Sequence, residues 1–163
     1  MNWTVRLIEM RDVPVLLDWY NNEELHYIAN AKKFKLYTLE QLIDYWTEKL
    51  SRPNSSYYVI EVSGEIVGRV GLKKKNREKG VVTEYSILIG VPTMYSKGLG
   101  TEITKHFVKE VFLDPEPSSV ILEVRADNLR AISCYKKVGF QITSEFVENE
   151  VKIYAMEIAR EGE

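Results

Sequence analysis

The most informative stretch of the sequence joins an apolar strand, a glycine-bearing loop and the start of a helix. The strand is Tyr85-Ser86-Ile87-Leu88-Ile89-Gly90, and the loop is Tyr95-Ser96-Lys97-Gly98-Leu99-Gly100-Thr101. Gly98 and Gly100 allow a ligand to approach the backbone closely. The exposed amides of a helix's first turn favour an anion. The pattern suits a pyrophosphate, although a glycine-rich turn that only starts a helix would look the same.

Two familiar phosphate-binding loops do not fit this spacing. The dinucleotide fingerprint G-x-G-x-x-G fails because Ile103 stands where the third glycine should be. The Walker A pattern G-x-x-x-x-G-K-[ST] does not occur in the sequence. These failures argue against a nucleotide-binding protein of the P-loop or Rossmann type.

A second group of residues lies on a predicted helix that follows a short apolar strand, 120–124. Asn128 and Tyr135 are seven residues apart, or two helical turns, so they share a face with Ala131 between them. A small residue at 131 would let a ligand chain lie against the helix. A helix N-cap explains Asn128 as well as a binding role does, and packing explains Tyr135. Spacing alone leaves these alternatives open.

The elements that must position these residues follow a mixed order. Periodicity and turn signals predict strands at 3–8, 57–62, 66–72, 81–90, 120–124, 140–143 and 151–158, and helices at 13–20, 39–50, 98–112 and 128–138. Thr38-Leu39-Glu40-Gln41 fits a capping box at the start of the second helix. The charged stretch 73–80 is predicted to be a loop. Hairpin strands beside strands that alternate with helices predict an α/β (α+β) fold, a mixed sheet flanked by helices.

Composition bounds the class of protein. The chain has 163 residues, 45% apolar and 28% charged, with a formal net charge of −2. We expect one domain, 1–163, and no nucleic-acid partner. With Cys134 as the single cysteine and two distant histidines, an internal disulfide is impossible and no metal is expected. Neither a signal-peptide core nor a membrane-length apolar run is found, so we expect a cytoplasmic protein without a membrane partner.

Together the two motifs resemble those of the GNAT superfamily of acetyl-CoA-dependent N-acetyltransferases. The loop at 95–100 is similar to the family's pyrophosphate motif, [QR]-x-x-G-x-[GA], with Tyr95 where many members have Gln or Arg. The stretch Asn128-x-x-Ala131-x-x-x-Tyr135-x-x-x-Gly139-Phe140 is similar to its late motif. The element order also matches, so the resemblance covers nearly the whole chain. It implies a GNAT-like, mostly antiparallel sheet of about seven strands.

The resemblance also implies a mechanism, in which an amine attacks the thioester of acetyl-CoA directly. Tyr135 matches the family's general acid, which gives a proton to the departing thiolate. Glu84 is our candidate for the base that takes the amine proton, although an exposed strand-end carboxylate would look the same. The residues implied in binding acetyl-CoA are Ile87, Leu88, Ile89, Tyr95, Ser96, Lys97, Gly98, Leu99, Gly100, Thr101, Asn128, Ala131 and Tyr135.

The acceptor and the assembly stay open at this stage. An aromatic residue at 95 resembles ribosomal-protein N-terminal acetyltransferases, whereas 113–116 and 128–132 resemble aminoglycoside 6′-N-acetyltransferases. The acceptor is therefore a small amine, such as an aminoglycoside or polyamine, or a protein N-terminus. A homodimer is a family-level expectation. The alternative function is a non-catalytic CoA-binding regulatory domain, which would lack the proton donor that Tyr135 supplies.

Overall fold

A computed structural model describes residues 2–161 and shows seven strands and five α-helices in that range. The strands are β1 (Trp3–Leu7), β2 (Ser55–Val62), β3 (Glu65–Arg77), β4 (Gly80–Ile89), β5 (Ser119–Arg125), β6 (Gln141–Glu148) and β7 (Val151–Ala159). The helices are α1 (Val13–Tyr20), α2 (Glu23–Ala29), α3 (Leu39–Leu50), α4 (Leu99–Leu113) and α5 (Leu129–Val138). None of these described helices is long and apolar enough to cross a membrane.

All seven strands form one sheet in the order β1-β2-β3-β4-β5-β7-β6. Within the described chain, β4 and β5 are the only parallel neighbours, and every other pair is antiparallel. A parallel pair needs a crossover, and α4 provides it between β4 and β5. The predicted mixed, mostly antiparallel sheet flanked by helices is confirmed.

Each face of the sheet is covered by its own group of helices. On one side, α1 to α3 pack side chains such as Leu16 and Trp46 against Tyr57 and Val59 of β2. On the other side, α4 and α5 pack against a second buried cluster that includes Tyr85 of β4. We call these the α1–α3 face and the α4–α5 face. The alternation of side chains along a strand therefore decides which helical layer each strand residue meets.

Two expectations about elements were wrong. The charged stretch 73–80 is not a loop, because β3 continues to Arg77 and pairs with β4 as far as Gly80. Its lysines are compatible with a strand because Lys74 forms ion pairs with Asp114 and Glu116 at one sheet face. The helix α2 was missed because its seven residues are too few to show a clear apolar period.

A close contact fixes the first helix over the end of β4. A β carbon at Gly90 would lie 2.1 Å from the indole ring of Trp19. Only glycine leaves room for this ring, so Trp19 is seated directly on the backbone where β4 ends and the connection to α4 begins. This contact orients α1 toward the predicted ligand loop.

Candidate active site

A gap opens between β4 and β5 in the middle of the sheet. Their parallel pairing covers three residue pairs and ends at Glu84 and Ile121. Beyond this point β4 remains paired with β3 up to Ile89, while β5 remains paired with β7 up to Arg125. The two strands therefore diverge, and their facing edges carry backbone groups that have no strand partner across the gap.

The alternation of backbone groups shows which amides of β4 face this gap. The N–H of Gly90 donates to the carbonyl of Val67, on the β3 side, at 2.8 Å. Successive amides point to opposite edges of a strand, so those of Ile87 and Ile89 point toward the gap and that of Leu88 toward β3. The hydroxyl of Tyr95 donates to the carbonyl of Ile89 at 3.2 Å. Tyr95 thus lies at the end of the gap nearest the glycine loop.

The glycine loop delivers an uncapped helix start. Ser96 and Gly98 have positive φ angles of 62° and 79°, which turn the chain into α4. Gly98 is the N-cap of α4, and no side chain caps the amides of the first turn. A β carbon at Gly98 would meet nothing within 4 Å, so the space beside it is open. Open space beside unpaired amides suits an anion.

The helix α5 lies against this loop and against the start of α4. The guanidinium of Arg130 stacks on the ring of Tyr95, 3.7 Å from its centroid. The hydroxyl of Thr101 donates to the sulfur of Cys134 at 3.3 Å, and a β carbon at Gly100 would lie 3.6 Å from that sulfur. The structure therefore brings the two predicted motifs together, and Cys134 serves to pack α5 on α4.

Asn128 is the N-cap of α5. Its side-chain oxygen accepts from the N–H of Ala131 at 3.3 Å, and its amide donates to the carbonyl of Ile28 at the same distance. The capping interpretation is confirmed, and the second bond ties α5 to α2. Ala131 is half-buried and lies one turn before Tyr135.

Tyr135 is 7% exposed and packs edge-on against Phe140, with ring centroids 5.8 Å apart. Burial raises the pKa of its hydroxyl far above the usual value of tyrosine, with a smaller contribution from Cys134. The hydroxyl forms no hydrogen bond with any other residue in the range 2–161. The side chain therefore keeps its proton at neutral pH and has that proton available to donate.

Glu84 lies where the gap begins, on the α1–α3 face. It is half-buried, and Lys75 Nζ lies 2.5 Å from its carboxylate. Ser86 follows on the same face, two residues further along β4 and beside the gap. The position places a carboxylate at the opening, although its charge is paired with a lysine.

Sequence reasoning missed a second carboxylate at the gap, Glu123 of β5. Ile121 is paired with Glu84, and Glu123 follows two residues later, so both carboxylates lie on the α1–α3 face. Glu123 is exposed on this face, yet partial desolvation raises its pKa and the charge of Glu84 raises it further, against an opposing effect of Lys75. The available signal was a single glutamate inside the apolar run 120–124 of a central strand.

The fold places a gap between two diverging strands beside the uncapped start of α4, with the hydroxyl of Tyr135 in the same helical layer. Residues 3–141 match the model of the acetyltransferase (GNAT) domain family. The chain belongs to this family, so the predicted class, an N-acetyltransferase, is confirmed. The comparisons give no support to the non-catalytic alternative.

Relatives with known activities fall into several acceptor classes. The chain is 25% identical over 148 residues to an aminoglycoside N(6′)-acetyltransferase type 1 of Klebsiella pneumoniae, covering 85% of this chain and 73% of the relative. It is 31% identical over 97 residues to the N-alpha-acetyltransferase RimI of Mycobacterium tuberculosis, covering 59% and 58%. The fold is similar to that of spermidine N-acetyltransferase from Vibrio cholerae in complex with CoA and spermine, with a TM-score of 0.83, 18% identity and coverage of 96% and 95%.

Proposed function

We propose that the chain binds acetyl-CoA in the gap between β4 and β5 and transfers the acetyl group to a primary amine that enters from the α1–α3 face. The observation that carries this proposal is the divergence of β4 and β5 beyond Glu84 and Ile121, beside the uncapped start of α4. The gap offers unpaired backbone donors along one edge, and the loop offers a cradle for a pyrophosphate at its end.

The residues assigned to acetyl-CoA divide into three groups. The loop and first turn of α4 would hold the pyrophosphate through Tyr95, Ser96, Lys97, Gly98, Leu99, Gly100 and Thr101. The strand group would hold the extended arm through Ile87, Leu88 and Ile89, with the amides of Ile87 and Ile89 facing the gap. The helix group comprises Asn128, Ala131 and Tyr135. Because both polar atoms of Asn128 already form bonds within the protein, we expect it to act mainly by holding α5 in place.

The chemistry needs one proton accepted and one donated. Acetyl-CoA supplies the acetyl group, which passes to the amine nitrogen as the carbon–sulfur bond breaks. An amide facing the gap stabilises the negative charge that develops on the carbonyl oxygen. Tyr135 gives its proton to the departing thiolate, and a carboxylate on the α1–α3 face receives the proton of the amine. The step balances because the carbon–sulfur bond breaks as the carbon–nitrogen bond forms. The thiolate gains the proton of Tyr135, and the amine gives one proton to the carboxylate.

Two carboxylates are candidates for the base, Glu84 and Glu123. Glu84 is paired with Lys75, whereas Glu123 has a raised pKa and no ion pair with another residue in the range 2–161. A higher pKa makes a stronger base, so Glu123 is favoured for proton transfer, and Glu84 sets the field around it. Glu84 remains the base predicted from sequence, and the two assignments give different pH profiles.

The test is thiol release from acetyl-CoA over a range of pH, for the wild type, Glu123→Gln and Glu84→Gln. If Glu123 is the base, its variant loses kcat on the order of a hundredfold or more and its acidic limb disappears. Glu84→Gln should then keep the limb but shift it to lower pH, because the loss of a neighbouring negative charge lowers the pKa of Glu123. The reverse pattern would assign the base to Glu84.

The proposed acceptor is a primary amine. The relatives named above are an aminoglycoside acetyltransferase, an N-alpha-acetyltransferase and a spermidine acetyltransferase. These names support an amine acceptor without selecting one. The cytoplasmic location and the homodimer expected from the sequence stay predictions.

A further inference from the structure

A small cavity lies on the α1–α3 face, directly beside the gap. Its volume is about 160 Å³, and it lies between α3 and the strands β2, β3 and β4. Its charged and hydroxyl-bearing lining residues are Lys49, Arg52, Tyr57, Arg69, Lys73, Glu84 and Ser86. Glu84 and Ser86 also border the gap, so the cavity opens next to the place where acetyl transfer is proposed.

The cavity carries an excess of positive charge. Arg52 is neutralised by Glu48, with guanidinium and carboxylate atoms 2.8 Å apart, and Glu84 is bound by Lys75. Within residues 2–161, Lys49, Arg69 and Lys73 form no ion pair with a carboxylate. The whole chain has a net charge of −2, so this local excess does not follow from its composition. Apart from Glu84, which is already paired with Lys75, no carboxylate of the described chain lines the cavity, so three half-buried cations face it without an ion-pair partner.

The hydrogen bonds of one of these cations, Arg69, are also incomplete. Arg69 donates to the hydroxyl of Ser86 at a long 3.3 Å, and its Nε is buried without a hydrogen-bond partner in the described chain. Lys49 Nζ donates to the hydroxyl of Tyr45 at 2.5 Å. Burial lowers the pKa of Lys49, and the charges of Arg69, Arg52 and Lys73 lower it further, against an opposing effect of Tyr57. An anion in the cavity would relieve this repulsion between cations and would accept a hydrogen bond from Nε of Arg69.

We propose that the acceptor is a small amine that also carries an anionic group, a carboxylate or a phosphate, which binds Lys49, Arg69 and Lys73. The amine would then lie at the Glu84 and Glu123 end of the face, beside the gap. This proposal rests on the proposed function and narrows its acceptor. It sets the chain apart from enzymes for polycations, because a polyamine or an aminoglycoside would bring further positive charge to these three cations.

The first experiment compares matched amines in a thiol-release assay with acetyl-CoA. The pairs are 6-aminohexanoate with 6-amino-1-hexanol and O-phosphoethanolamine with ethanolamine, and 1,5-diaminopentane serves as a dication. We expect kcat/KM for the anionic member to exceed that of its neutral partner on the order of tenfold to a hundredfold, as for a charge-assisted contact. The two pairs distinguish a carboxylate from a phosphate. Equal rates within both pairs, or a preference for the dication, would overturn the proposal while leaving acetyl transfer intact.

The second experiment removes the cations one at a time with Arg69→Gln and Lys73→Gln. Each variant should lose the preference for the anionic amine through a higher KM, while its rate with the neutral amine stays near that of the wild type. Lys74→Gln is the matched control, since it removes the same charge one residue away, where Asp114 and Glu116 already neutralise it. A variant that slows both members of a pair equally would assign Arg69 and Lys73 a structural role instead.

Binding separates a failure of this inference from a failure of the proposed function. Calorimetry in the presence of CoA should detect 6-aminohexanoate or O-phosphoethanolamine binding to the wild type and weaker binding to Arg69→Gln. Binding without thiol release would retain the anion site and refute acetyl transfer to these amines. Thiol release from neutral amines with no binding of either anionic amine would retain acetyl transfer and refute the anion site.

Discussion

At the scale of single residues, the hydroxyl of Tyr135 gives the most direct test of whether a buried tyrosine takes part in catalysis or only in packing. Its hydroxyl forms no hydrogen bond with residues 2–161, whereas the hydroxyl of Tyr85, also buried, is 2.9 Å from Thr104 Oγ1. Two buried tyrosines thus differ in what the hydroxyl does. The hydroxyl of Tyr85 is bonded within the α4–α5 core, whereas that of Tyr135 is free to bond to a ligand.

Tyr135→Phe should lower kcat on the order of a hundredfold, because the departing thiolate would lose the proton donor proposed for it. Acetyl-CoA affinity and the free energy of unfolding should change little, since the ring stays and no internal bond is lost. Steady-state thiol release, calorimetry and urea unfolding measure the three quantities.

Tyr85→Phe is the matched control for this substitution. It should cost about 1 kcal/mol of folding stability through the lost bond to Thr104 and leave kcat close to that of the wild type. A Tyr135→Phe enzyme with wild-type kcat, measured where chemistry limits the rate, would reduce Tyr135 to a packing residue.

At the residue scale, the two motifs predicted which segments the structure brings together. The loop at 95–100 and the helix that carries Asn128 and Tyr135 are local structures, and they meet where Arg130 stacks on Tyr95 and Thr101 bonds to Cys134. Glu123 was not found, because its role depends on which face of β5 it occupies and on Glu84 across the sheet. Both facts follow from strand pairing, which a single sequence does not display.

At the scale of elements, local signals predicted four of the five α-helices and missed the short α2, although the side chain of Asn22 caps it. Thr38 and Gln41 form the predicted capping box at the start of α3, and α1 spans the predicted range. The lysine run failed because local polarity suggested a loop, whereas pairing with β4 and ion pairs across the sheet decide its conformation. This error matters for function, since Lys73 reaches the cationic cavity only as a strand residue.

The loop before α4 provides a test of phosphate binding that keeps the fold intact. Gly98 and Gly64 have the same φ of 79°, and a β carbon at either would meet nothing within 4 Å. Asparagine tolerates this left-handed conformation better than other side chains, so Gly98→Asn and Gly64→Asn should each cost roughly 1 kcal/mol or less of stability. Only Gly98→Asn should weaken acetyl-CoA binding, because its side chain fills the space proposed for the pyrophosphate.

Calorimetric titration with CoA and urea unfolding of both variants decide the matter. A similar loss of stability in the two proteins, with weaker CoA binding in Gly98→Asn alone, is the expected result. Wild-type affinity in Gly98→Asn would show that the loop only starts a helix, which was the simpler interpretation of the same glycines.

At the scale of the whole molecule, the sheet separates two helical layers that carry different chemical groups. The α4–α5 face contains the loop, the crossover and Tyr135, while the α1–α3 face contains both carboxylates and the cationic cavity. The gap is the one place where chemistry from both faces can meet, because elsewhere in the described sheet neighbouring strands stay paired. The fold class was predictable from element order, but the gap was not, since it depends on where one parallel pairing stops.

The joint between the first strands and the α1–α3 layer provides a test of stability against pH. Both guanidinium Nη atoms of Arg6 donate to the carboxylate of Asp12 at 2.8 Å, and its Nε donates to Glu61 at 2.6 Å. Asp12 is 2% exposed. Burial alone would raise the pKa of Asp12, but the bonds from Arg6 and from the backbone of Glu9 outweigh it, so the pKa is lowered on folding.

Asp12→Asn should therefore lower the free energy of unfolding at pH 7 by about 2 kcal/mol, because Arg6 loses a charge-assisted, bidentate partner. A lowered carboxyl pKa contributes stability that is present above the unfolded value, near 3.9, and is lost as pH falls through the folded value. The difference between wild type and variant should hold at neutral pH and shrink below about pH 4.

Asp18→Asn, at an exposed position of α1, is the control and should change stability by less than about 0.5 kcal/mol at either pH. Urea unfolding at pH 7 and pH 3 measures both variants, and a difference that persists undiminished at pH 3 would mean that packing, rather than the charge of Asp12, holds this joint together.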